Sequence, residues 1–370
     1  MDFRIMVVSD NRLLDKIHRK IIKMTLPPPT YELLSTEKTQ ELLEVFKGER
    51  TGWVLVGPKR YFFPYRYIEQ GEGFYNFKAR PDDTWVLSYP RSGTTWTQEL
   101  VWLLSNNLDY KTAKTKFLSE RFPFLEFSMY NHPDVTKEFI EMNKGDLVKE
   151  QLCRAIAEPG YKVLEQVPSP RFIKSHFPFS LLPNILESGC KIVYVARNPK
   201  DVAVSWYHLN RAIKTQGYTS DFETFWNYFQ NDLTPWNPYW EHLKEAWALK
   251  DHPNVLFLFY EEMHANLPHT IRKIAKFLEK TYSDNEINEL SSYLDIKIFR
   301  NNPMVNSSEL KECGIITAGT FVRQGQSGSW KDLFTPTLEA KANKWITENL
   351  QNTDLRFPYF NNNLDFNLIK

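Results

Sequence analysis

Four short apolar runs alternate with stretches of helical spacing through this 370-residue chain. We predict buried strands at 86–88, 171–174, 191–196 and 255–260, and helices that include 201–212, 222–229 and 270–277. Strands that alternate with helices indicate an α/β fold, with a central parallel sheet flanked by helices. Ligands of such sheets bind beyond the carboxyl ends of the strands, so the residues that follow each run are the candidate site.

The composition excludes several classes of function. The 46 basic and 45 acidic residues leave a net charge of +1, so no overall field attracts nucleic acid or an anionic membrane, and we predict neither as a partner. The three cysteines are far apart and form no metal-ligand spacing, which predicts no disulfide framework and no bound metal. No apolar run is long enough to cross a bilayer, and we expect a cytoplasmic protein.

The chain contains no repeat and no linker rich in glycine and serine. We therefore predict one domain over 46–370, preceded by an N-terminal extension, flexible in part, over 1–45. Basic and apolar residues interleave between Arg12 and Lys23, a pattern that fits either a frayed extension or a basic amphipathic helix on a membrane. Translation from Met24 is a further alternative.

The first predicted strand ends in a loop of small and hydroxyl-bearing residues, and a helix follows it. The free N–H groups at the start of a helix attract anions, and Gly93 lets an anion approach the backbone closely. Further donors in this P-loop-like segment are the side chains of Arg91, Ser92, Thr94 and Thr95. The loop predicts a phosphate or sulfate site, although it lacks the G-x-x-x-x-G-K-[ST] pattern of nucleoside triphosphatases. An ordinary strand–loop–helix corner with a capping hydroxyl is the alternative.

The second strand ends with Lys174 and His176 on one face, because side chains on a strand repeat every two residues. An imidazole can take a proton from an attacking hydroxyl, while an ammonium can neutralise charge on a leaving oxygen. Among the eight histidines, His176 is the candidate general base, and His208 is a candidate for lining a pocket.

The third strand is followed by Arg197, and Pro199 then begins a helix that carries Ser205 about two turns later. Together Arg197 and Ser205 could bind a second phosphate. The alternatives are an ion pair for Arg197 and a bond from the Ser205 hydroxyl to its own helix backbone.

Five ordered motifs make the chain similar to the cytosolic sulfotransferases. They cover 89–96, 174–176, 197–205, 259–262 and 323–325, and the resemblance extends from about residue 50 to the C-terminus. It implies a single α/β domain that uses 3'-phosphoadenylyl sulfate (PAPS) to sulfate the hydroxyl of a small apolar acceptor, such as a phenol, alcohol, steroid or retinoid. The product nucleotide would be adenosine 3',5'-bisphosphate (PAP), and no metal is implied.

The resemblance also implies residue roles. His176 would be the general base, and the other catalytic residues would be Lys174, Arg91 and Ser205. The nucleotide would be held by Arg91, Ser92, Gly93, Thr94, Thr95, Trp96, Arg197, Ser205, Tyr260, Ile296, Arg323, Gln324 and Gly325. The acceptor would contact Phe124, Phe127 and His208, and further pocket candidates are Tyr130, Trp236 and Trp240.

The chain departs from the family pattern at several positions. Arg91 replaces a usual lysine, Gln324 a usual lysine, and Ile296 a usual aromatic residue. Of the family's dimer motif, Lys331 and Thr335 are present, whereas its valine and glutamate are replaced, and we predict a monomer or a weak homodimer.

A surplus segment at about 130–160 is the last departure. It could form a lid over the pocket or an ungated surface loop. Arthropod retinol dehydratase, a member of the family, is similar in this segment and in the arginine of the loop. That similarity implies an alternative activity, in which a sulfated intermediate loses its sulfate to give an alkene.

Overall fold

The computed structural model of the protein describes residues 27–317, 321–322 and 325–358. The strands in these ranges are β1 (Tyr31–Leu33), β2 (Trp53–Val56), β3 (Tyr61–Pro64), β4 (Thr84–Leu87), β5 (Phe172–Ser175), β6 (Lys191–Ala196) and β7 (Val255–Phe259). The first helices are α1 (Thr36–Val45), α2 (Tyr67–Tyr75), α3 (Thr94–Ser105), α4 (Tyr110–Ala113), α5 (Leu118–Arg121), α6 (Pro133–Met142), α7 (Leu147–Ala155) and α8 (Gly160–Gln166). The later helices are α9 (Pro199–Ala212), α10 (Phe222–Gln230), α11 (Tyr239–Ala248), α12 (Tyr260–Ala265), α13 (Leu267–Phe277), α14 (Asp284–Tyr293), α15 (Ile296–Phe299), α16 (Ser308–Glu312) and α17 (Pro336–Leu350).

The central sheet has four parallel strands in the order β5-β4-β6-β7. Both of its faces are covered, since alternate residues of β6 belong to different hydrophobic clusters: Ile192 and Tyr194 lie in one, Val193 and Val195 in the other. A strand buried on both faces reads as a continuous apolar run, which is why the sequence signalled it clearly. The predicted α/β fold with helices around a central parallel sheet is confirmed.

The ends of the four strands position the candidate site. Leu87 of β4 pairs with Ser175 of β5 and with Tyr194 of β6, and Ala196 pairs with Phe259 of β7. The residues that follow these strands therefore meet along one edge of the sheet, as the rule for parallel sheets predicts.

A second sheet was not anticipated from the sequence. It is antiparallel, with the order β1-β2-β3, and β2 and β3 are buried at every position. Two short apolar runs without alternation carry no period-two signal, so these strands are hard to recognise. Strand β1 and helix α1 lie within the segment 1–45 that the sequence analysis assigned to an extension, and α1 is capped by the Ser35 hydroxyl. Residues 1–26, with the basic stretch, lie outside the described residues.

The surplus segment forms helices rather than a long loop. Helices α6 and α7 make a helical hairpin, which packs Val135, Phe139 and Cys153 against residues 313–316 and Ile213. In the described part of the chain, no helix has the length and apolarity to cross a membrane.

Candidate active site

A cavity of about 250 Å³ opens at the carboxyl edge of the central sheet. It brings together most of the residues that the sequence analysis selected. Its lining includes Arg91, Gly93, Thr94, Thr95, Trp96, Phe124, Phe127, Lys174, His176, Arg197, Ser205, Tyr260, Ile296 and Gly325. Residues from the ends of all four strands thus share one cavity.

The loop after β4 is shaped to present backbone N–H groups. Gly93 adopts φ +100° and caps α3, while Arg91 has φ +70°. A Cβ atom on Gly93 would lie 2.5 Å from the ring of Tyr260, so only glycine fits there without displacement. The buried Ser92 hydroxyl has no hydrogen-bond partner among the described residues, as expected where a ligand supplies one.

Two guanidinium groups meet beside this loop. Arg91 donates from Nε to the Ser205 hydroxyl at 3.0 Å and from Nη2 to the Phe321 carbonyl at 2.7 Å. Arg197 donates to the carbonyls of Arg91 and Gln326, and its buried Nε has no partner within the described ranges. These contacts, to backbone carbonyls for Arg197 and to Arg91 for Ser205, differ from the alternatives of an ion pair and a helix-bonded hydroxyl. Two adjacent cations, with the buried Nε of Arg197 unpartnered, favour an anionic ligand.

An apolar cleft adjoins the arginines. The Trp96 indole N–H donates to the Leu294 carbonyl at 2.9 Å, which holds the indole near Ile296, and the Trp96 and Tyr260 ring centroids are 5.9 Å apart. The Gly325 backbone packs directly on the Ile296 side chain. Such a cleft has the shape and polarity to take a flat ring.

The tautomer of His176 follows from its contacts. Its Nδ1 lies 2.8 Å from the Ser88 carbonyl oxygen, which only accepts, so Nδ1 carries the proton and Nε2 keeps a lone pair. Burial, reinforced by the nearby charge of Lys174, lowers the His176 pKa well below its usual value. The imidazole is therefore neutral and able to accept a proton at neutral pH.

Lys174 lies half-buried on β5, two residues before His176. Its Nζ lies 4.2 Å from the centre of the Phe124 ring. Burial lowers the Lys174 pKa to about 8, although the charge of Glu126 raises it in part. Lys174 thus carries a positive charge at neutral pH but holds its proton less tightly than an exposed lysine.

Glu126 is a site residue that the sequence analysis missed. It is fully buried, and its Oε1 accepts the His176 backbone N–H at 2.5 Å and the Trp236 indole N–H at 3.3 Å. Burial raises its pKa to about 7. A carboxylate directly after the apolar stretch 122–125 was the available signal, because acids are rarely buried without a specific partner.

Asp201 was also missed. Its carboxylate accepts the backbone N–H groups of Gly328 and Trp330, at 2.8 and 3.1 Å. This buried acid on the first turn of α9 ties the C-terminal segment down beside Arg197.

The other half of the cavity is apolar and aromatic. The imidazole of His176 meets the rings of Phe124 and Trp236 edge to face, at 5.1 and 5.3 Å between centroids. The helical hairpin contributes Leu152 and Ile156 to the lining. An apolar molecule that enters here meets His176 directly.

Three candidates are not in the lining of this cavity: Ser92, which is buried within the loop, and His208 and Trp240, for which the predictions are corrected. His208 does not line the cavity, and its ring contacts that of Tyr207, with 5.3 Å between centroids. Trp240 packs in the core against Trp345. Arg323 and Gln324 lie outside the described residues.

No metal site accompanies this arrangement within the ranges that are described: no three His, Cys, Asp or Glu side chains group there.

Comparison with known proteins assigns the chain to a family. Residues 81–354 match the sulfotransferase domain family. Luciferin sulfotransferase of Photinus pyralis is 35% identical over 84% of this chain and 82% of its own length. Sulfotransferase 1E1 of Bos taurus is 32% identical over 79% of this chain and 91% of its own length.

Solved structures agree with this assignment. Retinol dehydratase in complex with androsterone and the inactive cofactor PAP is 40% identical, with a TM-score of 0.83 over 90% of this chain and 99% of that one. The same enzyme in complex with retinol and PAP is 39% identical, with a TM-score of 0.83. The strand-end site, the domain match and these relatives together lead to one conclusion: the chain belongs to the sulfotransferase family and is a sulfuryl-transferring enzyme.

Proposed function

We propose that the protein uses PAPS to sulfate the hydroxyl of a small apolar acceptor and releases PAP, with His176 as general base. The observation that carries this proposal is the state of His176, whose Nδ1 is committed to Ser88 while the ring lines the cavity shared with the anion-binding loop. Solved relatives that contain PAP support the choice of nucleotide.

The nucleotide half of the site fits PAPS. The unpartnered donors of Ser92 and Arg197 match phosphate oxygens, and the absent side chain of Gly93 leaves room for one to approach. Bound PAPS supplies an activated sulfuryl group. We assign its phosphosulfate to residues 91–96, its 3'-phosphate to Arg197, Ser205 and the Gly325 backbone, and its base to Trp96, Tyr260 and Ile296. Arg323 and Gln324 remain predictions for the 3'-phosphate.

The proposed chemistry divides among three side chains. His176 takes the acceptor proton on Nε2, so that the acceptor oxygen can form its bond to sulfur. Lys174 and Arg91 stabilise the negative charge that develops as the bridging oxygen leaves with its electron pair. Positioning in line and charge neutralisation provide most of the rate in such transfers, as in phosphoryl transfer.

The acceptor is proposed from the cavity wall. Aromatic and aliphatic side chains favour a flat apolar molecule with one hydroxyl, and solved relatives hold retinol and androsterone. We further propose that the protein acts as a monomer or a weak homodimer in the cytoplasm.

A second candidate activity is elimination of sulfate from a sulfated retinoid. The 39% sequence identity to retinol dehydratase favours this elimination. So do Arg91 and the residues that the helical hairpin contributes to the cavity. In that reaction the carbon–oxygen bond of the sulfate ester breaks and sulfate leaves with the electron pair. A base takes a proton from a carbon of the retinoid, and the product is an alkene.

The direct test is incubation with sulfur-labelled PAPS and a panel of phenols, alcohols, steroids and retinol. We expect label in the ester of at least one acceptor, and a loss of about 100-fold or more in turnover for His176→Ala, with PAP binding retained. PAP binding without transfer to any acceptor contradicts the proposal. Unlabelled dehydrated retinol, without accumulated ester, selects the elimination.

The loop gives a second prediction. Gly93→Ala places a methyl group against Tyr260 at a positive φ, and we expect PAP affinity to fall by about tenfold or more, measured by titration calorimetry. Gly145→Ala is the matched control, since Gly145 also has positive φ, +96°, but has open space around its Cβ position. Equal affinities for the two variants would contradict this account of the loop.

The pKa of Lys174 gives a third prediction. Because the lowered pKa lies at about 8 and the charged form is the active one, kcat/KM for PAPS should be sustained below pH 8 and decline as the pH rises through that value. Lys174→Arg should reduce the rate and move the decline of kcat/KM to higher pH, since arginine keeps its proton. Lys191→Arg, in an exposed ion pair with Glu279, serves as the control. If kcat/KM declines at the same pH in Lys174→Arg as in the wild type, a group other than Lys174 causes the decline.

A further inference from the structure

The acceptor half of the cavity follows one face of helix α9. Ser205, Leu209 and Ile213 line the cavity, and Ile213 comes directly after the last residue of the helix. They are spaced four residues apart, so they lie on the same face. At about 1.5 Å per residue, this face extends for about 12 Å. The cavity is therefore long enough to have two distinct ends.

One end of this face is the reacting end. The Ser205 hydroxyl accepts from Nε of Arg91 at 3.0 Å. The ring of the next residue, Trp206, lies 5.8 Å from that of Trp236, and Trp236 lies 5.3 Å from the imidazole of His176. The general base and the anion-binding loop thus meet here, and the other end of the face is remote from both.

The remote end carries two polar side chains. Thr215 and Gln216 line the cavity just beyond the C-terminal end of α9. Thr215 is only 3% exposed, and its hydroxyl has no hydrogen-bond partner among the described residues. Gln216 is buried as well. A buried hydroxyl without a partner is costly, so its presence in a cavity wall indicates that a ligand supplies the missing bond.

The turn that presents these side chains is fixed by its backbone. The N–H of Lys214 donates to the Ile315 carbonyl at 2.9 Å, and the Gln216 carbonyl accepts from the Gly48 N–H at 3.0 Å. Gly48 packs so closely that a Cβ atom on it would lie 2.2 Å from the carbonyl carbon of Thr215. Because other segments hold the turn on both sides, its hydroxyl and amide are preorganised for a ligand.

Thr215 differs in position from two other unpartnered groups of the lining. The Tyr130 hydroxyl and the Trp206 indole N–H are also buried without a partner within the described ranges. Both rings pack on Trp236, at 4.0 and 5.8 Å between centroids, and so belong to the reacting end. A contact with Thr215 requires a polar group at the opposite end of the acceptor.

We propose that Thr215 and Gln216 form a polar subsite that binds a carbonyl oxygen at the end of the acceptor remote from the hydroxyl that is sulfated. The inference rests on the proposed function, which places the sulfated hydroxyl at His176. The threonine hydroxyl and the glutamine amide both donate, and a carbonyl only accepts, so the pair suits a ketone. A site that hydrogen-bonds one group of a substrate discriminates against analogues that lack it. The subsite therefore selects a hydroxysteroid with a remote ketone over retinol or a simple phenol.

The test compares two steroids that differ only at the remote end. Androsterone has a hydroxyl at one end of its rings and a ketone at the other, and its deoxy analogue lacks the ketone. Binding of each to the protein with saturating PAP is measured by tryptophan fluorescence, and we expect androsterone to bind about tenfold more tightly. In Thr215→Val, which replaces the hydroxyl by a methyl group, the two affinities should lie within about twofold, because androsterone alone loses a bond.

The chain offers a matched control for this variant. Thr270 is also 3% exposed, but it lies on α13 outside the cavity lining, and its hydroxyl donates to the Asn266 carbonyl at 3.3 Å. Thr270→Val should keep the tenfold preference for androsterone. Gln216→Met removes the amide while it keeps a side chain of similar length, and it should weaken binding of androsterone but not of the deoxy analogue.

The possible failures can be told apart. Equal affinity of the wild type for the two steroids, binding of neither, or a preference that survives in Thr215→Val would overturn the subsite. A wild type that keeps the preference but transfers label from PAPS to no acceptor would overturn the proposed function, while it supports the polar contact at Thr215.

Discussion

Leu87 pairs with Ser175 on one side and with Tyr194 on the other, and this register determines the geometry of the site. It brings the loop after β4 level with His176 after β5 and with Arg197 after β6. A shift of one residue would turn every side chain to the opposite face of the sheet. The distance between anion loop and base is therefore a property of strand pairing, which the packed core on both faces supports.

The charges of the site are arranged in layers. Arg91, Lys174 and Arg197 line the cavity, while Glu126 and Asp201 lie behind it and bind backbone N–H groups. The cations attract the nucleotide. Glu126 holds the strand end that carries Lys174 and His176, and Asp201 holds the C-terminal segment beside Arg197. Their burial moves the pKa of Lys174 down and that of Glu126 up, so the site has titrating groups near neutral pH.

The sequence predicted the central strands because runs buried on both faces are unbroken. It predicted the anion-binding loop because glycine and hydroxyl residues between a strand and a helix suit a phosphate or sulfate. What it could not predict depends on distant parts of the chain. Glu126 meets His176, and Tyr194 meets His242, only after the fold is complete. His208 was expected to line the pocket but is absent from the cavity wall, because its position on a helix does not by itself show what its side chain contacts. The small antiparallel sheet was missed because apolar and polar residues do not alternate in β2 and β3, which are buried at every position.

The most direct test of the account is a crystal structure of the protein with PAP and a hydroxylated acceptor. The account predicts the 5'-phosphate on the backbone of residues 91–96, and the acceptor oxygen within hydrogen-bond distance of Nε2 of His176, with Nδ1 still bonded to Ser88. A nucleotide bound away from this loop, or an acceptor whose hydroxyl points away from His176, would contradict it.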